Sequence, residues 1–159
     1  MAQTHLLHNY GDRDLTIVRG RGSWVWDDRG QSYLDCVAGV AVNAFGHQYP
    51  PILEAIRGQL DLFSHASNLY LIPSQMELAD ALCQAMGMDK VFFCNSGTEA
   101  NEGAIKFARR YWLTQGQEQK VEILSFASSF HGRTYAAMAA TGQDKIRKGF
   151  GPLPEGFHI

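Results

Sequence analysis

The sequence predicts an α/β fold, and three observations carry that prediction. From about residue 74 helical and strand-like patterns alternate. The apolar run Val91-Phe92-Phe93-Cys94 feeds a helical pattern through the small polar turn Asn95-Ser96-Gly97-Thr98. A second run, Val121-Glu122-Ile123-Leu124-Ser125-Phe126, is followed by Phe130-His131-Gly132-Arg133-Thr134. Such alternation is what strands joined by crossover helices produce. The 159 residues carry 14 Lys+Arg against 16 Asp+Glu, a formal charge of −2, and are 45% hydrophobic and 19% charged. That is the composition of a folded chain, long enough to bury about 70% of its unfolded surface as one unit. It offers no basic stripe for nucleic acid. No apolar run approaches the roughly 20 residues that span a bilayer. Met1-Ala2-Gln3-Thr4-His5 lacks the basic-then-apolar start of a secretory signal.

The elements follow in order. Ser23-Trp24-Val25-Trp26 and Ser32-Tyr33-Leu34-Asp35 flank Asp27-Asp28-Arg29-Gly30, a hairpin pattern in which Gly30 can take positive φ. A glycine-rich apolar stretch, Val37 to Asn43, closes at Gly46-His47. Pro50-Pro51 opens a helix whose apolar face is Ile52, Leu53, Ile56 and Leu60. Ser74 and Glu77 have capping-box spacing ahead of a stripe of Leu78, Leu82 and Ala85, and Gly87 stands at the exit. Val91–Cys94 is expected as a buried strand. Ser96 and Glu99 repeat the capping-box spacing before a helix through Ala104, Ile105, Ala108, Tyr111 and Trp112. Val121–Phe126 reads as a second strand, and Gly151 to Ile159 as loop. Two strands are few for a sheet with both faces covered, where about five is the average, so the sheet is expected to be incomplete.

Cys36, Cys83 and Cys94 are odd in number and lack CxxC spacing, which fits reduced thiols in a cytosolic protein. The six histidines show no metal-binding spacing, and no metal site is expected. Trp24 and Trp26 share one side of a strand and read as packing residues.

Two places can carry chemistry. At Asn95-Ser96-Gly97-Thr98 the first N–H groups of a helix are unpaired and the helix dipole is positive, a setting that binds phosphate and to which hydroxyls add donors. The segment is neither a Walker loop nor GxGxxG, and from spacing alone a plain helix cap accounts for it better. Phe130–Thr134 follows the second strand, and ligands in open α/β sheets sit beyond the carboxyl ends of strands. There a ring can stack on a flat cofactor and Arg133 can fork a carboxylate. Each loop alone reads as structural; together they can face one pocket.

These residues bear a family likeness. Asn95-Ser96-Gly97-Thr98-Glu99-Ala100-Asn101-Glu102 with Ala104 to Arg109 resembles the phosphate-binding segment of class III pyridoxal-phosphate aminotransferases. Phe130–Thr134 resembles their ring-stacking and substrate loop. Gly20-Arg21-Gly22-Ser23, Trp26-Asp27, Tyr33-Leu34-Asp35, Gly39 to Asn43 and Gly46-His47 match as well, so the likeness covers nearly the whole chain.

The resemblance implies a pyridoxal-phosphate-dependent transferase of fold type I, aspartate-aminotransferase-like and incomplete in this chain. Residues 1–60 would contribute to a small domain and 61–159 would begin the large cofactor-binding α/β domain. Ser96, Gly97 and Thr98 would hold the cofactor phosphate, Phe130 would stack on its ring, and His131 would lie beside it. Arg133 would take a substrate carboxylate, with Val42 and Asn43 and the Ser67-Asn68-Leu69-Tyr70 stretch lining the substrate entrance near a homodimer interface. An apolar Val40 implies an acylated amine donor, with 2-oxoglutarate as acceptor; ornithine or another ω-amino acid is the alternative, as is a non-catalytic module. The family's Schiff-base lysine and its ring-nitrogen aspartate are expected beyond Ile159. Lys90, Lys106, Lys120, Lys145 and Lys148 do not stand in the lysine motif, so no catalytic residue is assigned here.

Overall fold

Two sheets, one antiparallel and one parallel, organise the chain in the computed structural model, which describes residues 5–159. The start of the N-terminal stretch, residues 1–4, lies outside the described residues. The chain divides at Ile72/Pro73 into two compact units.

In the first unit β1 (Ile17–Arg21), β2 (Trp24–Asp27) and β3 (Ser32–Leu34) form an antiparallel sheet in sequence order. Val25 pairs with Gly20 and Tyr33, and a register shift falls between Ile17 and Arg19. The β2–β3 turn is the expected one, with Gly30 at φ 82°. Asp27 organises it: its carboxylate accepts the N–H groups of Arg29 (3.0 Å) and Gln31 (2.8 Å) and the Tyr33 hydroxyl (3.1 Å). Burial alone would raise its pKa, but these donors and Arg29 together hold it below the usual carboxylate value.

The turn α1 (Ala38–Ala41) is left-handed: Ala38, Gly39, Val40 and Ala41 have φ of 47°, 63°, 59° and 66°. Such a conformation costs roughly 1–2 kcal/mol per non-glycine residue. Asp35 opposes that cost by accepting the N–H groups of Val37 (3.1 Å) and Ala38 (2.9 Å), while its other oxygen meets His47 Nε2 at 2.8 Å. Helix α2 (Pro50–Leu62) begins on its two prolines as expected. Its apolar face is not covered: Ile52, Ile56 and Leu60 are all exposed.

The second unit holds α3 (Pro73–Met86), α4 (Gly97–Thr114), β4 (Ile123–Leu124), α5 (Tyr135–Ala140), α6 (Asp144–Arg147) and β5 (Phe157–His158). Four expectations need correction. Helix α3 starts at Pro73, whose fixed φ suits the first position, so Ser74 falls inside the first turn instead of capping it. Its exit is as expected, with Gly87 at φ 64° and the Met88 N–H bonded to the Cys83 carbonyl, a Schellman closure. Val91–Cys94 is not a strand among the described residues, because no neighbouring strand pairs with it; Phe92 instead lies edge-on to Phe107 of α4, 5.8 Å between centroids. The second expected strand contracts to β4. Conversely, the terminal segment read as loop contains β5, which pairs in parallel with β4 through Ile123–Phe157 and Leu124–His158.

Exposure is the dominant feature. A compact monomer of 17.7 kDa would present about 7,900 Å², and two separate compact units of half that mass about 9,600 Å². The chain presents 13265 Å², far above either figure, so the expected 70% burial is not reached. Among the described residues the buried apolar ones are Val25 in the first unit and Ile105, Ala137, Met138, Ala139, Ala140 and Ile146 in the second. No helix of the described residues is long and apolar enough to cross a membrane.

Candidate functional site

The turn Asn95-Ser96 enters α4 in extended conformation, Ser96 standing at the N-cap with φ −156° and ψ 160°. Its hydroxyl accepts the Glu99 N–H at 3.3 Å and donates to Glu99 Oε2 at 3.0 Å, while Asn95 Nδ2 donates to Glu99 Oε1 at 3.2 Å. The donated hydrogen bonds from Asn95 and then Ser96 hold the Glu99 carboxyl below its ordinary value. The capping box of the sequence is therefore real. It satisfies the third amide of α4 and leaves the first two: among the described residues nothing accepts the N–H groups of Gly97 and Thr98. Both stand at the positive end of an 18-residue helix.

Loop 130–134 packs on the first two turns of that helix. Gly132 has φ 135°, and a Cβ there would overlap the Thr98 side chain. Thr98 Oγ1 lies 3.0 Å from Thr134 Oγ1, and Asn101 Nδ2 donates to the His131 carbonyl at 2.6 Å. The Thr134 hydroxyl donates to Glu102 Oε1. Proton accounting follows: Thr134 gives its hydrogen to a carboxylate, so in the Thr98–Thr134 pair Thr98 is the donor. The Ser96 hydroxyl hydrogen is likewise committed, to Glu99. In this arrangement both hydroxyl hydrogens are engaged within the protein, and the unengaged donors at this helix end are the two backbone amides. A small polar turn with two free amides and an open Gly97, beside which a Cβ would meet nothing within 4 Å, fits a phosphate dianion.

Within the loop, Phe130 is exposed and the Arg133 guanidinium lies 5.8 Å from its ring centroid. No carboxylate or carbonyl among the described residues takes Arg133, so its planar donor fork is free for an incoming carboxylate. His131 lines an apolar cavity of about 270 Å³ with Ile105, Ala108, Ile123 and Ala140. Ser96, Gly97, Thr98, Phe130, His131 and Arg133 thus belong to one unit, in which loop 130–134 touches Thr98 and Asn101 of α4. Val42 and Asn43 belong to the other unit, where Val42 ends the left-handed turn and the Asn43 N–H bonds the Ala38 carbonyl at 2.9 Å.

Sequence reading missed Asn101 and Glu102. With Thr98 and Ile105 they form one stripe of α4, and that stripe faces the loop and the core. Polar residues continuing the buried stripe of a helix were the available signal.

Residues 7–159 match the family described as Aminotransferase class-III, and the chain belongs to that family. It is 51% identical over 158 residues to the acetylornithine aminotransferase of Prochlorococcus marinus, covering 99% of this chain and 38% of that protein. The acetylornithine aminotransferase of Aquifex aeolicus is 48% identical over 155 residues, covering 97% of this chain and 41% of its own. Among solved structures, the amine transaminase from an uncultivated Pseudomonas species, in its PLP-bound form, superposes with a TM-score of 0.91 at 28% identity, over 99% of this chain and 38% of that one. The fold is that of the fold type I aminotransferases, present in part. The chain spans about two fifths of the length of the curated relatives it matches.

Proposed function

We propose that this chain is the N-terminal portion of a pyridoxal-phosphate-dependent aminotransferase that moves the amine of N-acetylornithine to 2-oxoglutarate in arginine biosynthesis, working as a cytoplasmic homodimer. One observation carries the reading: the loop bearing the unpaired Arg133 is docked on the helix end whose Gly97 and Thr98 amides are free. When bound, the cofactor supplies an electron-withdrawing ring and an aldehyde through which an amine is taken up and passed on. The chain's own residues bind and orient. The Gly97 and Thr98 amides hold the phosphate at the positive end of α4, with Ser96 shaping the turn that exposes them. Phe130 covers a face of the ring with His131 beside it, and Arg133 forks the substrate carboxylate so that the amine-bearing carbon is presented to the ring. Val42 and Asn43 line the substrate side. The lysine that holds the cofactor and the aspartate for its ring nitrogen come from the rest of the enzyme, which would also cover the surplus apolar surface of α2 and α4.

Support for the donor comes from the 46–51% identity to proteins named acetylornithine aminotransferase. A second donor, ornithine or another ω-amino acid, is favoured by the likeness to an ornithine aminotransferase of Toxoplasma gondii, TM-score 0.88. Comparing acetylated with free ornithine in the full-length enzyme separates the two, with the acetylated donor expected to have the higher kcat/KM. The site assignment is tested by Arg133→Ala. Loss of a charge-assisted bidentate contact predicts a KM for the donor raised roughly 10- to 100-fold with bound-cofactor absorbance retained. Equal loss of cofactor and donor binding would contradict it.

A further inference from the structure

Helix α5 is buried from Ala137 to Ala140, while its first turn opens at the exposed Tyr135, and the N–H groups of that turn still find their acceptor within the protein. Its own N-cap, Thr134, makes no side-chain cap. The acceptor comes from another helix: Glu102 Oε1 takes the N–H groups of Ala136 (3.2 Å) and Ala137 (3.1 Å) together with the Thr134 hydroxyl. One residue earlier on α4, Asn101 holds the His131 carbonyl. Arg133 therefore sits in a span pinned on both flanks by consecutive side chains of the helix whose N-terminus carries the free amides. A further tie, the His131 N–H to Thr141 Oγ1 at 3.0 Å, fixes the loop to the end of α5.

We propose that Glu102, assisted by Asn101, is a positioning residue that sets where Arg133 stands relative to the amides of Gly97 and Thr98, and so fixes the register between the phosphate and carboxylate subsites. The carboxylate touches neither cofactor nor substrate; it acts by capping α5 and by consuming the Thr134 hydrogen, which in turn orients the Thr98 hydroxyl. A rigid carboxylate fork needs its partner held within a fraction of an ångström, so loosening this loop is felt first in donor binding. The proposal rests on the functional reading above.

The test uses the full-length protein with Glu102→Ala, Glu102→Gln and Thr134→Ala. Glutamine keeps an acceptor oxygen for the same donors. Two readouts are taken: hydrogen exchange of the segment 131–137, which needs no activity, and the split between KM and kcat for the amino-acid donor. Glu102→Ala is expected to raise exchange at Ala136 and Ala137 at least tenfold and the donor KM about 10-fold or more, with kcat changed less than about threefold and cofactor absorbance retained. Glu102→Gln is expected within about threefold of wild type in both readouts, and Thr134→Ala between the two. If Glu102→Ala fails to fold, Glu102→Asp, whose shorter side chain withdraws the acceptor from the same donors, carries the test in its place. Unchanged protection at Ala136 and Ala137 in Glu102→Ala, or in Glu102→Asp where that variant stands in, overturns the clamp. Raised exchange with an unaltered donor KM overturns its role in positioning. Wild-type protein without transamination would instead overturn the functional reading, while the exchange data would still judge the clamp.

Discussion

The hairpin β1–β3 and the α4–α5 region are each ordered by one carboxylate gathering several donors, yet they rest on different foundations. Asp27 takes two N–H groups and a tyrosine hydroxyl in a unit whose buried apolar set among the described residues is Val25 alone. Glu102 takes a similar set beside a core of Ile105, Ala137, Met138, Ala139, Ala140 and Ile146. In the first region polar tethers replace a core; in the second they fasten a loop to one. Tethers fix the path of a backbone, whereas close packing fixes its distance from a neighbour. The proposed site, which would match a phosphate to a carboxylate, calls for the second kind of construction, and Phe130 and Arg133 are carried on it. The left-handed turn of Ala38–Ala41 with its exposed Val40 and Val42 is built the first way, on Asp35 and His47.

Paired glycine substitutions sharpen the contrast most. Gly132 and Gly30 both have positive φ, 135° and 82°, but only at Gly132 would a Cβ collide, with Thr98; at Gly30 it would meet nothing within 4 Å. Gly132→Ala is expected to cost about 3 kcal/mol or more, strain and overpacking together, and Gly30→Ala about 1 kcal/mol. Thermal unfolding of both variants of the full-length protein checks this; equal losses would erase the distinction between the two regions. Asp27→Ala comes next, since it strands the N–H groups of Arg29 and Gln31 and the Tyr33 hydroxyl. It is expected to lower Tm and to raise exchange in β2 and β3 while leaving cofactor absorbance unchanged.

The smallest expected effect is a pH dependence at the entrance to α4. Glu99 is held below its ordinary value of 4.5 by Asn95 and Ser96, so the folded state favours the ionised form. The stability this adds is fully present above about pH 4.5 and is lost as pH falls through the lowered folded value. The Tm difference between wild type and Glu99→Gln should be constant from neutral pH down to about 5 and shrink below 4.5. A difference that grew on acidification would reverse the assignment.

What could be read from sequence was what short-range chemistry decides. Gly30 in its turn, Pro50-Pro51 opening α2, Gly87 closing α3 and the Ser96–Glu99 box all depend on residues within a few positions of each other. One failure was itself local, Ser74, which the neighbouring Pro73 displaces into the first turn of α3; the others came where distant partners decide. Val91–Cys94 has the composition of a strand, but a strand exists only with a neighbour, and its Phe92 ring found α4 instead. Phe157–His158 lies among Gly and Pro that argue for loop, and becomes β5 because β4 offers it an edge. The left-handed turn has Gly39 as its one local hint, with Asp35 and His47 supplying the rest. Residues 130–134 stood out as a candidate site by their place after a strand and by resemblance. Their fastening to Thr98, Asn101 and Glu102 spans some thirty residues and leaves no local pattern beyond polar side chains on an inward stripe.

The central claim concerns where a phosphate sits. A crystal structure of the full-length protein with pyridoxal phosphate tests it most directly. Phosphate oxygens are expected about 2.7–3.1 Å from the amide nitrogens of Gly97 and Thr98, with the ring against Phe130. A phosphate bound away from those two amides would contradict the account.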